Sequence, residues 1–247
     1  MTRRRWIADQ VSGNRAALVG EHAAHLARVL RAQVGQEFDI AADGVVRCGR
    51  ILSVSGDRVE FELGEEVAAA PAVPVTLALA IFKFDRMEWA IEKCTELGVA
   101  RIVPFAARRT DAHLAASAAK RVERWRRIAR EASEQARRAA PPEVADPVKL
   151  REVLALAGKQ RIVLSEAERA VSLRELCGVG APSAGSGQAP ARDVSLILTI
   201  GPEGGWTNEE LQAFTQAGWK SASLGATILR AETAAIAALA VIMAEIA

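Results

Sequence analysis

No stretch of this sequence reaches the roughly 18 uninterrupted apolar residues that a membrane-spanning helix needs, so no span is expected. The opening residues, MTRRRWIADQ, carry arginines without the apolar run that follows them in a secretory signal, and none is expected here. Cysteine is scarce. Cys48, Cys94 and Cys177 are widely spaced, with no CxxC pair and no Cys/His cluster. That spacing argues against a disulfide framework and against a zinc site, and it fits a reducing cytoplasm. His22 and His25 lie three apart on one helical stretch, yet no third ligand is in view, so packing or RNA contact is expected rather than metal.

What is present is a chain of 247 residues, 50% hydrophobic and 25% charged, enough to bury the core of one or two domains. Its net charge of +2 hides an asymmetry. Between Arg101 and Ala140, ten arginines and one lysine face only four acids, a local charge of +7. A second basic cluster (Arg3, Arg4, Arg5, Arg15, Arg28, Arg31) opens the chain. Clustered arginine points to a polyanion, most simply nucleic acid; a solvated helix face is the alternative.

Residues 1–64 read as short alternating strands, with DG and SGD marking hairpins and one helical stretch, GEHAAHLARVLR. Gly64 to Pro74 has linker composition. The expected division is therefore a small β domain over 1–70 and a second domain over 75–247. The second alternates apolar strands (VTLALAIF, ARIVPF, RIVLSE, VSLILTI) with helices, the pattern of an α/β layer with a parallel sheet. One helix carries Met87, Ala90, Ile91, Cys94 and Leu97 on a stripe closed by Gly98, with Lys93 and Glu96 on a salt-bridged face. Another is expected from about Ala118 to Ala140, stopped by Pro141-Pro142. Gly178 to Asp193, rich in Gly, Ala, Ser and Pro, is expected to form a surface loop.

The stretch TIGPEGGWTNEE, Thr199 to Glu210, joins an apolar strand to a helix start. It lacks the GxxxxGK[ST] phosphate loop and the GxGxxG fingerprint. Glu203 would repel a phosphate, and Thr207 with Glu210 forms a T-x-x-E capping box that already occupies the helix's first amides. Close backbone approach beside an acid suits a neutral or cationic ligand, such as an adenosine carrying a sulfonium; a turn that binds nothing is the alternative. A second motif, LGATILRAETAA, places Arg230, Glu232 and Thr233 at the mouth of an otherwise apolar helix, where polar groups must cap, pair or bind.

These two motifs, with HLARVLR, KFDRMEWAIEKCTELGVARIVPF and RWRRIAREASEQARRAAPPEV upstream, closely resemble the RsmE-type 16S ribosomal RNA uracil-N3 methyltransferases of the SPOUT class. The resemblance covers nearly the whole chain. It implies a PUA-like β-barrel domain ahead of a trefoil-knotted parallel-sheet methyltransferase domain, a homodimer, and S-adenosylmethionine as cofactor. By resemblance the cofactor lies among Leu164, Ser165 and Glu166, then Thr199, Ile200, Gly201, Pro202, Glu203, Gly204 and Gly205, then Leu224, Gly225, Ile228, Leu229 and Arg230. Trp206, beside the glycine loop, is read as core or as a candidate to line that pocket. The RNA would meet Arg3, Arg4, Arg5, Arg28, Arg31, Arg127 and Arg138.

Uracil N3 carries a proton at neutral pH, so methylation there needs a base or a cation that stabilises the uracil anion. No histidine lies in either motif, which makes Arg230 the candidate cation, with Arg138 and Gln135 orienting base and phosphate and Glu131 as the alternative base. Pairing of Arg230 with Glu203 or Glu232 is the competing reading. A related enzyme acting on another RNA or atom and a catalytically silent RNA-binding protein also remain; a nucleotide hydrolase fails on the missing Lys and Ser/Thr.

Overall fold

Alternating residues over the first 66 positions build a single sheet. The computed structural model describes residues 4–69, 73–178 and 195–246, and the chain divides into two compact units, Met1–Pro71 with Arg130–Pro141 and Ala72–Ala129 with Pro142–Ala247. In the first unit β1 (Arg5–Ile7), β2 (Gln10–Ser12), β3 (Arg15–Val19), β4 (Glu37–Ala42), β5 (Val45–Ser55) and β6 (Arg58–Glu66) pair in the order β1-β4-β5-β6-β3-β2. The β4–β5 hairpin turns at Asp43-Gly44, both with positive φ (51 and 79), as a tight hairpin of this hand requires. The edge strands β1 and β2 are halves of one stretch broken at Ala8-Asp9. The Ala8 amide bonds Ala41 of β4 and the Asp9 amide bonds Ala17 of β3. One bent strand thus pairs with both ends of the ladder and closes it into a barrel.

The barrel core holds Trp6, Leu18, Leu26, Ile40, Ile51 and Phe61. The stretch expected to be one helix is a short α1 (Glu21–Ala24) continued by a π turn, His25–Val29. At the strand break, Asp9 gathers the Val19 amide (2.8 Å), His22 Nδ1 (3.2 Å) and the Arg130 guanidinium (2.7 Å). Burial pushes the Asp9 carboxyl up, but these donors outweigh it and hold the group below its ordinary value. The same hydrogen bond raises His22 against the opposing effect of burial. The His25 ring packs tilted against Trp6, with centroids 5.8 Å apart. Both histidines are therefore used within the unit's own packing.

Continuous apolar runs make the second unit's sheet. β7 (Val75–Ala80), α2 (Phe84–Glu96), β8 (Arg101–Ala106), α3 (Ala112–Ser117), α4 (Val122–Gln135), β9 (Glu143–Val144), β10 (Val148–Lys149), α5 (Leu150–Leu154), β11 (Gln160–Leu164), α6 (Leu173–Gly178), β12 (Leu196–Ile200), α7 (Asn208–Gln216), β13 (Lys220–Ala222) and α8 (Ala231–Ile246) follow one another. The strand order is β10-β8-β7-β12-β11-β13 with β9 beside β8, and every pairing is parallel. One face carries Met87 and Ile91 of α2, Trp125 of α4 and Leu239 of α8. The other carries Val153 of α5 and Phe214 of α7. A parallel sheet covered on both faces accounts for strands without polar alternation. Among the described residues no helix is long and apolar enough to cross a membrane.

Three sequence expectations need correction. The helix expected over Ala118–Ala140 is a 3₁₀ turn, Ala118–Arg121, followed by α4, which stops at Gln135, six residues before Pro141. Arg137 takes φ 55, the left-handed region that ends a helix. A residue far away in sequence meets the chain at this point: the Arg5 guanidinium donates to the Arg137 carbonyl. Arg5, expected on the RNA surface, is only 8% exposed and also pairs with Asp39 at 3.5 Å. Strand β6 runs on to Glu66, past the expected linker start. Of the expected loop, Gly178 ends α6 and 179–193 lie outside the described residues, as does Arg3.

Candidate active site

Strands β12, β11 and β13 are neighbours, so the loops leaving their carboxyl ends converge, the usual place for a ligand in an open parallel sheet. They enclose a pocket of about 360 Å³. From β11 come Leu164, Ser165 and Glu166; from β12 Ile200, Gly201, Pro202, Glu203, Gly205 and Trp206; from β13 Leu224, Gly225, Ile228, Leu229 and Arg230. Two of the expected residues do not line it. Thr199 is fully buried inside β12, and Gly204 turns toward Arg109, whose Cβ lies 3.3 Å from where a Gly204 side chain would begin.

The glycine loop is held from three sides. Trp206 stacks on Phe105 (6.2 Å), meets Phe214 edge-on (5.0 Å) and donates its ring N–H to the Leu164 carbonyl at 2.7 Å, tying the β12 loop to the β11 loop. Arg109, in the turn after β8, donates to the carbonyls of Gly204 (2.8 Å) and Trp206 (3.2 Å). The capping box is formed: Glu210 N–H donates to Thr207 Oγ1, and the Thr207 amide donates to Glu210 Oε2 at 2.9 Å. Glu210 Oε1 also accepts the Arg108 amide at 2.7 Å, which uses a buried carboxylate fully. Gly205 has φ +69, a conformation that favours glycine.

The charges are arranged unequally. Arg86, in the first turn of α2, lines the pocket and meets two acids, Glu203 at 2.9 Å and Glu232 at 3.8 Å. Arg230 is exposed at the rim, and no ion pair or hydrogen bond engages its side chain among the described residues. The reading that Arg230 is taken up by Glu203 or Glu232 therefore does not hold in this structure. From Leu224 to Arg230 no backbone amide donates to another described residue. Unpaired backbone groups in a loop with apolar side chains suit a planar heterocycle with polar edges, and the carboxylates of Glu166 and Glu203 suit a nearby positive centre.

Arg86 and Arg109 were missed in the sequence, although KFDRMEWA was among the motifs. Each follows a strand whose neighbour in the sheet no local pattern reveals. The thiol of Cys94 is fully buried, and burial pushes it up to about 12, which removes it as a nucleophile.

The remaining expected residues lie elsewhere. Gln135 is exposed at the end of α4, and Arg138 is half-buried, with burial lowering its pKa; both belong to the first unit and neither lines the pocket. Arg4 (over the Trp6 ring at 5.5 Å), Arg28, Arg31 and Arg127 are exposed. Much of the basic stretch is paired: Arg101 with Glu143, Arg121 and Arg124 with Glu88, Arg126 with Glu123 and Asp146, Arg130 with Asp9. Its local charge of +7 therefore overstates what faces solvent unpaired.

Known proteins resemble this chain over most of its length. A family model described as an RNA methyltransferase domain matches residues 69–243. The chain is 34% identical over 233 residues to the ribosomal RNA small subunit methyltransferase E of Bacillus subtilis, covering 92% of this chain and 88% of that one. It is likewise 34% identical over 241 residues to the Mycobacterium tuberculosis protein of the same name, covering 92% and 86%. Among solved structures, the Neisseria gonorrhoeae enzyme of that name bound to S-adenosylmethionine aligns with a TM-score of 0.79 at 29% identity, over 97% of this chain and 96% of that one. A Legionella pneumophila methyltransferase in complex with the same cofactor aligns at 0.82 and 29%, over 99% and 98%. These alignments span both units, and the SPOUT architecture with its N-terminal β domain is the fold of this chain.

Proposed function

This chain belongs to the ribosomal RNA small subunit methyltransferase E family, and on that premise we propose that it methylates N3 of a uridine in 16S ribosomal RNA, with S-adenosylmethionine as methyl donor. The bound cofactor supplies a methyl group activated on a sulfonium. The chain's residues do the rest. The amides between Leu224 and Arg230, unpaired among the described residues, and the apolar side chains of Leu164, Ile200 and Leu229 suit the adenine, and the glycine loop lets backbone approach it closely. Uracil presents N3 as a neutral N–H, so negative charge spreads over O2 and O4 as the proton leaves. Arg230, exposed and lining the pocket, is the cation assigned to stabilising that charge.

The observation that carries this reading is the division of labour among the pocket's charges: Arg86 takes Glu203 and Glu232, and Arg230 takes neither. Gln135 and Arg138 are assigned to RNA capture, together with the exposed Arg4, Arg28, Arg31 and Arg127. Purified protein, cofactor and either naked 16S RNA or assembled small subunits should yield 3-methyluridine at one site in nucleoside digests. Methyl groups on another atom, or none on either substrate, would sink the proposal.

The working form is taken to be a homodimer in the cytoplasm. The resemblance supports it, as does Trp89 on α2, 47% exposed where a partner would cover it. Light scattering at micromolar concentration should read twice the 26.3 kDa chain mass. A monomer there would refute it.

A further inference from the structure

Two carboxylates beside the pocket share one cation. Arg86 Nη1 lies 2.9 Å from Glu203 Oε1, and its Nε lies 3.8 Å from Glu232 Oε1. Glu232 is 4% exposed, and its Oε2 has no hydrogen-bond partner among the described residues. A buried carboxylate left half-satisfied attracts any cation in reach. Among the residues lining the pocket, the only cation besides Arg86 is Arg230, two positions before Glu232 in the chain. Arginine's planar fork is suited to bridging two acids, a task for which a lysine ammonium is a poor substitute.

We propose that Arg86 is a positioning residue: by taking up Glu203 and Glu232 together, it keeps Arg230 unpaired and available to the RNA substrate. Without it, Glu203 and Glu232 would both lose their cation, the pocket lined by Glu166 and Glu203 would retain Arg230 as its one guanidinium among the lining residues, and an ion-paired guanidinium is a weaker donor to charge developing on the base. The inference rests on the role given to Arg230 above. It adds a charge-sorting device that nothing in the glycine loop or the α8 motif contains on its own.

A double-mutant cycle tests it with the full-length protein. Methyl transfer at saturating cofactor and RNA is measured for wild type, Arg86→Met, Arg230→Ala and the double variant, and cofactor affinity is measured by calorimetry for each. Arg86→Met should lower kcat by about 30-fold, somewhat less than direct removal of a transition-state donor, and leave cofactor affinity within a few-fold. The double variant should be within about 3-fold of Arg230→Ala, because the residue through which Arg86 acts is already gone. Losses that multiply would overturn the proposal, and so would a fall in cofactor affinity large enough to explain the rate. If Arg230→Ala alone has no effect, the reading of Arg230 fails and takes this one with it, an outcome distinct from multiplying losses. Should Arg86→Met not fold, Arg86→Lys enters the same cycle, with a smaller loss expected and again absorbed by Arg230→Ala.

Discussion

Arg230→Ala is expected to slow methyl transfer by about 100-fold or more, the scale of removing one donor to transition-state charge. Cofactor affinity and RNA affinity should both stay within a few-fold of wild type. The side chain is exposed and unpaired among the described residues, so its loss leaves no buried acid stranded and should barely move the melting temperature. Arg138→Ala is the useful contrast. That residue belongs to the first unit and does not line the pocket, so it should weaken RNA capture and flatten its salt dependence while sparing the rate at saturation. If Arg230→Ala transfers methyl groups within a few-fold of wild type, the proton must be handled otherwise. Glu166, which lines the pocket, then becomes the first base to test, ahead of Glu131, which lies exposed in the first unit.

Gly201→Val should cost cofactor affinity about 100-fold, or close to 3 kcal/mol. A Cβ at Gly201 would stand 3.0 to 3.3 Å from three atoms of the Trp206 ring. The ring cannot yield. Its N–H is bound to Leu164, one face stacks on Phe105, and Phe214 meets it edge-on. The backbone of the glycine loop must shift instead, and the loop is what closes the pocket. Gly204→Ala makes a sharp comparison, because its Cβ would press on the Arg109 stem outside the pocket and should weaken binding only a few-fold. Calorimetry with S-adenosylmethionine reads both. Undiminished affinity in a folded Gly201→Val protein would place the cofactor somewhere other than this pocket.

The contrast between these two glycines shows where reading the sequence ends. The loop itself was legible from TIGPEGGWTNEE, because a strand end, a helix start and a T-x-x-E box are all local. Which glycine faces the ligand was not, since that depends on Arg109, 95 residues away from the carbonyl it holds. Arg5 went wrong for a related reason. A charge count sees three arginines in a row, while the barrel buries one of them against Asp39 and the Arg137 carbonyl. The same long-range contact lies just past the end of α4, whose residue pattern by itself allowed about one more turn.

What the sequence determined alone was whatever lies within a few residues along the chain. It set the apolar strands, the α2 stripe over Met87, Ala90, Ile91 and Cys94, the capping box, and the family that the motifs resemble. The tertiary structure decided that β7 stands beside β12, so that Arg86 reaches Glu203 across 117 positions of sequence. It also decided that one bent strand closes the barrel at Ala8-Asp9. Helical and strand periods follow from local backbone geometry and are written into neighbouring side chains. The order of parallel strands is settled by long crossover connections and by the packing of a whole sheet, and these leave no period in the chain to read.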